Sequence, residues 1–380
     1  MFKKLLPLLN HDTYLWGSPI KKATCRFFSA SSTAVEDSNS SNEKQDRKVL
    51  KVAIVGVPNA GKSTFINQIV GRNICAISRK VHTTRCCARA VINVDNTQLI
   101  FLDTPGVVSA KEGLKFRLEH SCLVDTENAM QEADVIGVLH DVSNQYTKFK
   151  LDPKILRLLY HYSQKHSFLI LNKTDALKKR RDLLDCVRIL TKQDDKSKHV
   201  QILNDDLNEI SLQEMLSDEV GWAHFHDVFM VSGLTGDGVG DIQIYLTNLA
   251  RPGQWIFSEE LFTDQNEVKV IVDTIFSKLL DHVPYEVPYN VKIQIEYFDV
   301  ADDGSISIIA NLLARTERIR YFVVGEKGET IRKVAADAEQ GLKQFYLNDV
   351  HIKLVVKKDS KFDSSKSSDE DDKEKLRRLS

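Results

Sequence analysis

From Val49 onward, short apolar runs alternate with amphipathic stretches. Val52–Val55, Ala88–Val94, Leu99–Leu102, Val135–Leu139, Phe168–Leu171 and Val228–Val231 are rich in Val, Ile and Leu and bounded by polar or turn-forming residues, which predicts strands. Apolar positions three and four apart predict helices over 62–70, 114–131, 152–165 and 241–250. Strand and helix in alternation predict an α/β unit over 49–250 with a largely parallel sheet. Residues 176–218 break this rhythm. They carry dense charge (Lys178, Lys179, Arg180, Arg181, Asp194, Asp195, Lys196, Asp205, Asp206) with weak helical periodicity, and are expected to form a surface insertion.

Pro252-Gly253 closes that unit. A second pattern, over 251–358, begins with a helix near 266–281 whose Val268, Ile271, Val272, Ile275 and Leu279 share one side. Strands follow at Asn290–Val300 and Ile306–Leu313, turned at Gly304, then a glycine-flanked loop, a long helix and a last strand, His351–Val356. This is a small α+β unit.

Composition bounds the rest. The 380 residues suffice for two to three domains, and 42% apolar content supports sizeable cores. A net charge of −1 excludes bulk electrostatic attraction to nucleic acid or membrane, so any such surface is local. The six cysteines (Cys25, Cys75, Cys86, Cys87, Cys122, Cys186) form no C-x-x-C pair and predict reduced thiols. No run reaches the ~18 apolar residues of a membrane span. Residues 1–35 hold five basic residues (Lys3, Lys4, Lys21, Lys22, Arg26), one acidic residue, Asp12, and interspersed Phe, Leu and Trp. Basic, amphipathic and acid-poor is the profile of a mitochondrial transit peptide, and Arg26-Phe27-Phe28-Ser29 resembles its processing site. Residues 36–48 then form a polar linker, and the Ser-rich, acidic 359–380 a tail expected to be disordered.

The chemistry begins at Gly56-Val57-Pro58-Asn59-Ala60-Gly61-Lys62-Ser63, followed by Thr64. This G-x-x-x-x-G-K-[ST] run follows a strand and opens a helix, the context of a phosphate-binding loop. Backbone N–H groups cradle the phosphates, Lys62 reaches the β/γ-phosphates, and the Ser63 hydroxyl ligates Mg²⁺. Chance would place such a run in ~1% of chains of this length. Asp103-Thr104-Pro105-Gly106 ends a strand, where Asp103 can hold Mg²⁺ through water and the Gly106 N–H can meet the γ-phosphate. Asn172-Lys173-Thr174-Asp175 ends another, and the Asp175 carboxylate can accept from guanine N1–H and N2–H₂ together. Adenine would leave that carboxylate unpaired. Ser232-Gly233 can face guanine O6, and Thr84, in His82-Thr83-Thr84-Arg85, can complete the Mg²⁺ shell. All but the Thr84 segment fall just past the carboxyl end of a predicted strand, where open α/β sheets bind ligands. The order points to a GTP-binding domain, and the unit over 49–250 resembles a Ras-like G domain. Val107 stands where many small GTPases carry a water-positioning glutamine, so slow intrinsic hydrolysis is expected.

In the second unit, Gly325-Glu326-Lys327-Gly328 is a G-x-x-G. Alone it means little, since about two such matches arise by chance at this length. Its context is stronger. The helix after it places Ile331, Val334, Ala335, Ala338, Leu342 and Phe345 at core spacing, while Lys327, Arg332 and Lys333 can meet phosphates. That is how a KH domain clamps about four single-stranded nucleotides. Arg315, Arg318 and Arg320 extend the surface, although 251–359 as a whole holds 14 basic against 18 acidic residues.

Together, the phosphate loop, Ser78-Arg79-Lys80-Val81-His82-Thr83-Thr84-Arg85, Asp103–Gly106, Val287-Pro288-Tyr289 and Gly325–Ile331 resemble the Era family of GTPases over roughly 49–358. The resemblance implies a G domain joined to a type II KH domain, binding of GTP/GDP and of small-subunit ribosomal RNA near its 3′ end, and assistance to assembly of the small ribosomal subunit. With a transit peptide, the setting would be the mitochondrial matrix, with no more than peripheral contact with the inner membrane, and the protein a monomer. Related GTPases with an asparagine at Asn59 bind K⁺ beside the phosphates; the alternative is that Asn59 only shapes the loop. Two departures stand out: Gly233 replaces the usual alanine, and Phe276-Ser277-Lys278 replaces the usual Arg-Glu-Lys, where loss of a surface charge pair is expected. The competing readings are a related tRNA-modification GTPase, and a switch whose second domain binds protein.

Overall fold

The computed structural model describes residues 47–77, 88–104, 106, 120–177, 181–192, 219–284 and 286–359. The transit-type segment, Thr84, Pro105, Val107 and the acidic tail lie outside them.

The first unit is built on one sheet. Its strands are β1 (Lys48–Val55), β2 (Ala88–Val94), β3 (Thr97–Asp103), β4 (Val135–Asp141), β5 (His166–Asn172), β6 (Val228–Met230) and the short β7 (Arg251–Pro252). They lie in the order β2-β3-β1-β4-β5-β6, with β7 on the free start of β1. β3, β1, β4, β5 and β6 run parallel, whereas β2 pairs antiparallel with β3 and β7 with β1. The sheet is therefore mixed at its margin. β2 and β3 are a hairpin turned at Asp95, whose φ of 51° is left-handed.

Helices cover both faces. α1 (Lys62–Val70) and α5 (Val239–Leu249) bury Phe65, Ile66, Ile69, Ile242 and Leu246 against one face. α2 (His120–Glu132), α3 (Pro153–His161) and α4 (Arg181–Leu190) bury Met130, Ile155, Leu156, Leu159, Cys186 and Leu190 against the other. Each such side chain contributes about 1.5–3 kcal/mol. α4 corrects the expected insertion: Cys186 and Leu190 are wholly buried, so the segment joins the core. Its inner stripe is Leu183, Cys186, Val187 and Leu190 at regular helical spacing, masked in the sequence by the dense charge on either side. Residues 178–180 and 193–218 lie outside the described residues.

The second unit runs α6 (Glu267–His282), β8 (Val291–Val300), β9 (Ile306–Ala314), α7 (Glu317–Val324), α8 (Glu329–Tyr346) and β10 (Val350–Lys358). Its sheet has the order β10-β9-β8, with β8 antiparallel and β10 parallel to β9. α6 and α8 lay Ile271, Ile275, Leu279, Val334, Ala338, Leu342 and Phe345 on one side of it. α7 was not anticipated. Thr316 caps it, its side chain accepting from Ile319 N, and eight residues ahead of a glycine give too few turns for a pattern to show. Phe276 and Ser277 are buried, and Phe276 packs on Tyr289 at 5.8 Å, so this stretch carries no surface charge pair.

The join between the units is stitched to the first sheet. Trp255 donates from Nε1 to Lys48 O (3.1 Å), Gln98 Oε1 accepts from Ile256 N and Phe257 N, and Phe262 O accepts from Val91 N (2.9 Å) on edge strand β2. The end of α1 reaches the end of α8. The Arg72 guanidinium lies over the Phe262 ring (4.4 Å) and donates to Phe345 O (3.3 Å), and Phe262 packs edge-on against Phe345 (5.2 Å).

Candidate functional site

The carboxyl ends of β1, β3, β4, β5 and β6 emerge at one edge of the sheet and carry every described candidate for nucleotide binding. The phosphate loop, Gly56–Gly61, leaves β1 because its backbone must turn where side chains cannot follow. A Cβ on Gly56 would lie 2.5 Å from Leu139 O, and Gly61 has φ of 100° with Asn172 Nδ2 at 2.5 Å from the same position. Asn59 is also left-handed (φ 60°), a conformation asparagine tolerates.

Lys62 is buried at the start of α1 and donates to Gly56 O and Val57 O, each at 3.1 Å. Burial lowers its pKa to about 8, only partly opposed by the Asp103 carboxylate. A buried cation held only by carbonyl oxygens and one carboxylate suits a polyanion. Ser63 Oγ donates to Asp103 Oδ2 (2.9 Å), and Asp103 is fully buried. A hydroxyl and a carboxylate at this separation are hard oxygen donors of the kind Mg²⁺ takes together with phosphate oxygens, so the residues fit that ion. Thr104, in contrast, spends its hydroxyl on Ile54 O (2.7 Å), pinning the chain after β3 to β1. Gly106 abuts the phosphate loop so closely that a Cβ there would sit 2.8 Å from Pro58 Cα.

The guanine side is cross-tied. Asn172, buried, donates from Nδ2 to Ala60 O (2.8 Å) and accepts at Oδ1 from Gly233 N (2.9 Å). Thr174 Oγ1 donates to Val231 O (3.0 Å). Asp175 is exposed at the mouth, and its Oδ1 accepts from Ser232 Oγ (2.6 Å), which fixes the orientation of the carboxylate. A Cβ on Gly233 would meet its neighbours at 3.4 Å, an ordinary contact, so an alanine would also fit. Lys173 is left-handed (φ 65°) and donates to Asn59 O (2.7 Å) and Asp141 Oδ2 (2.6 Å). Sequence reasoning missed Asp141. Its other oxygen accepts from Ser143 N (2.9 Å) and Ser143 Oγ (2.6 Å), so it holds Lys173 against the phosphate loop. The available signal was Asp141-Val142-Ser143, an Asp turn at the carboxyl end of a predicted strand.

These loops define a P-loop GTPase of Ras-like fold. The comparisons refine the class. A family model described as 50S ribosome-binding GTPase matches residues 51–173. "GTPase Era, mitochondrial" of Danio rerio is 36% identical over 342 residues, covering 83% of this chain and 76% of that protein. Its counterpart in Salmo salar is 33% identical over 354 residues, covering 83% and 78%. The chain belongs to the Era family of GTPases. A crystal structure of Era in complex with MgGDPNP and nucleotides 1506–1542 of 16S ribosomal RNA has the same two-unit fold, with TM-score 0.62 at 24% identity over 82% of this chain and 94% of that one.

In the second unit, the order α6-β8-β9-α7-α8-β10 is consistent with a type II KH domain. Gly325 (φ 72°) has no room for a side chain, since a Cβ would lie 2.1 Å from Thr330 Oγ1. Lys327 (φ 48°) and Gly328 (φ 79°) are left-handed, and Arg332 donates to Lys327 O (2.8 Å), locking the turn. Ile319, Ile331, Ile352, Leu354 and Val356, from α7, α8 and β10, stay partly buried. Lys333 pairs with Glu329 (2.7 Å) and Arg320 with Glu317 (2.8 Å), all exposed. Such surface pairs are worth ~0–1 kcal/mol, so phosphates exchange for them readily. Arg318 also lies exposed on α7. Among the described residues, no helix is long and apolar enough to cross a membrane.

Proposed function

We propose that this chain is a GTP-switched RNA-binding factor that engages small-subunit ribosomal RNA and assists assembly of the mitochondrial small ribosomal subunit. The observation that carries the reading is the join: the helix opened by the phosphate loop ends against the last helix of the unit bearing Gly325–Gly328. A nucleotide-dependent change in the first unit thereby has a mechanical route to the second. The names of the mitochondrial relatives, and an Era structure holding a GTP analogue and 16S ribosomal RNA, support it. GTP would sit across Gly56–Thr64, Asp103–Val107, Asn172–Asp175 and Ser232-Gly233. Mg²⁺, held by Ser63 and Asp103 with Thr84 closing the shell, would neutralise phosphate charge. Lys62 would bind the β/γ-phosphates, and Asp175 would select guanine. RNA would cross Gly325–Gly328, contacting Glu326, Lys327, Arg332, Lys333, Arg318 and Arg320. The protein would act as a monomer in the matrix, with peripheral contact with the inner membrane at most.

Replacing both central loop residues (Glu326→Asp with Lys327→Asp) should abolish RNA binding and leave GDP affinity unchanged. Unchanged RNA affinity would favour a protein-binding second domain. Crosslinked RNA dominated by tRNA would favour the tRNA-modification branch. For the second ion, Asn59 lies exposed at the rim of the phosphate loop. Turnover faster in KCl than in NaCl at equal ionic strength supports K⁺ there; equal rates leave Asn59 as a loop-shaping residue.

A further inference from the structure

Two exposed aromatic side chains of the second unit stand beside the Gly325–Gly328 turn. Tyr321 is 68% and Phe322 39% exposed. Both lie on α7, whose opposite side carries Val323, fully buried, and the half-buried Ile319. Adjacent helical positions differ by about 100°, so Tyr321, two residues from each, projects away from the core. Soluble helices ordinarily put a polar residue there. Arg318 precedes Tyr321 and Phe322 by three and four positions, so the three share a face. Its guanidinium lies 6.0 Å over the Phe322 ring, and the two rings are 6.3 Å apart, edge to face.

Continuity with the loop follows from the backbone. Gly325 N donates to Tyr321 O at 2.9 Å, so the first loop glycine sits one turn beyond Tyr321 on the same line of the helix. A strand crossing the turn on that side passes over Tyr321. The charge favours a polyanion: residues 315–333 hold six basic residues against three acidic. Aromatic rings beside arginines are the sequence-tolerant means by which single-stranded nucleic acid is held, each base offering a π-face.

We propose that Tyr321 and Phe322, backed by Arg318, form a stacking platform for one unpaired nucleobase flanking the stretch clamped by Gly325–Gly328. The proposal rests on the RNA-binding reading above and adds a contact outside the clamp. Full-length protein is titrated with a fluorescein-labelled single-stranded 12-nucleotide RNA of mixed sequence, and with the same RNA carrying an abasic nucleotide at each position in turn. Tyr321→Ala should weaken binding about 10-fold. Tyr321→Phe and Tyr321→Trp should restore it, whereas Tyr321→Leu, equally apolar but without a π-face, should not. One abasic position outside the clamped stretch should weaken wild type and leave Tyr321→Ala indifferent. The platform is overturned if Tyr321→Ala and Tyr321→Leu bind like wild type while the Glu326→Asp/Lys327→Asp variant has lost RNA. It is equally overturned if Tyr321→Ala binds RNA normally but no longer cosediments with small ribosomal subunits, since the face then meets protein. If the loop variant itself retains RNA affinity, the RNA reading fails, and the platform with it.

Discussion

Asn172 joins the two halves of the nucleotide site with a single side chain. Its amide donates to Ala60 O at 2.8 Å in the phosphate loop and accepts from Gly233 N at 2.9 Å in the guanine loop. With 2% exposure, it leaves no water to replace either bond. Asn172→Ala strands a buried acceptor and a buried donor, at about 1–3 kcal/mol each. A total near 4 kcal/mol corresponds to a drop in Tm of roughly 8–16 °C for a domain of this size. Asn172→Asp is the sharper probe because it is nearly isosteric. It still accepts from Gly233 N, but it faces Ala60 O with a carboxylate oxygen that has no proton to give. The expected result at pH 7.5 is at least a ~10-fold loss of fluorescent GDP affinity, a little over 1.4 kcal/mol. Burial raises the pKa of a carboxyl group, so the new acid should reprotonate on mild acidification and donate again. Affinity relative to wild type should therefore recover between pH 7.5 and 5.5. An Asn172→Asp protein that binds GDP within twofold of wild type at pH 7.5, with an unchanged Tm, would refute the cross-tie.

Lys62 makes the nucleotide-free protein pH-sensitive. Its folded pKa, about 8, lies below the ordinary 10.5, so the unfolded chain binds more protons between those values. Stability of the nucleotide-free form should then rise with pH over that window, as urea titrations at pH 7.5 and 9.5 can check. Phosphates would draw the proton back, so calorimetry in buffers of different ionisation enthalpy should show proton uptake on GDP binding above pH 8. Gly106→Ala places a methyl 2.8 Å from Pro58 Cα, which neither backbone can yield cheaply. It should spare GDP affinity and lower both GDPNP affinity and turnover; equal effects on the two nucleotides would show a general folding defect instead. Arg89 joins β2 to Glu132 of α2 (2.8 Å) and to Asp264 of the interdomain segment (3.0 Å), and these carboxylates hold its pKa up. Arg89→Ala should leave GDP affinity and the RNA affinity of the nucleotide-free protein near wild type while shrinking the ratio of RNA affinities in GDPNP and GDP. An unchanged ratio would remove this residue from the coupling route.

Much of the site was legible because its chemistry lies in contiguous runs. Gly56–Ser63, Asn172–Asp175 and Gly325–Gly328 each combine backbone demands and reactive groups within a few residues, and strand predictions placed the first two at one sheet edge. Asp141 and Arg89 were not legible. Asp141 meets Lys173, 32 residues away, only once β4 and β5 pair, and Arg89 meets Glu132 and Asp264 only once α2 and the interdomain segment pack beside β2. α4 misled the reading because the conspicuous charge around it outweighed its regular apolar stripe of Leu183, Cys186, Val187 and Leu190. The loss of a charge pair at Phe276-Ser277 was legible from residue type, but the packing of Phe276 on Tyr289 was not, because local spacing does not show it.

The sequence by itself determined the chemistry offered in the first unit: a lysine and a hydroxyl suited to phosphate, Lys62 and Ser63, and a carboxylate suited to guanine, Asp175. Those preferences reside in functional groups whose spacing local backbone geometry suffices to arrange. The tertiary structure alone decided how the parts act on one another. Asn172 ties the phosphate loop to the Ser232-Gly233 loop, Asp141 steadies Lys173, Arg72 abuts α8, and Arg318, Tyr321 and Phe322 come to share an exposed face beside the Gly325–Gly328 loop. The physical reason is that burial, hydrogen-bond partners and exposed faces are properties of packed surfaces, which a linear chain does not possess until it has folded.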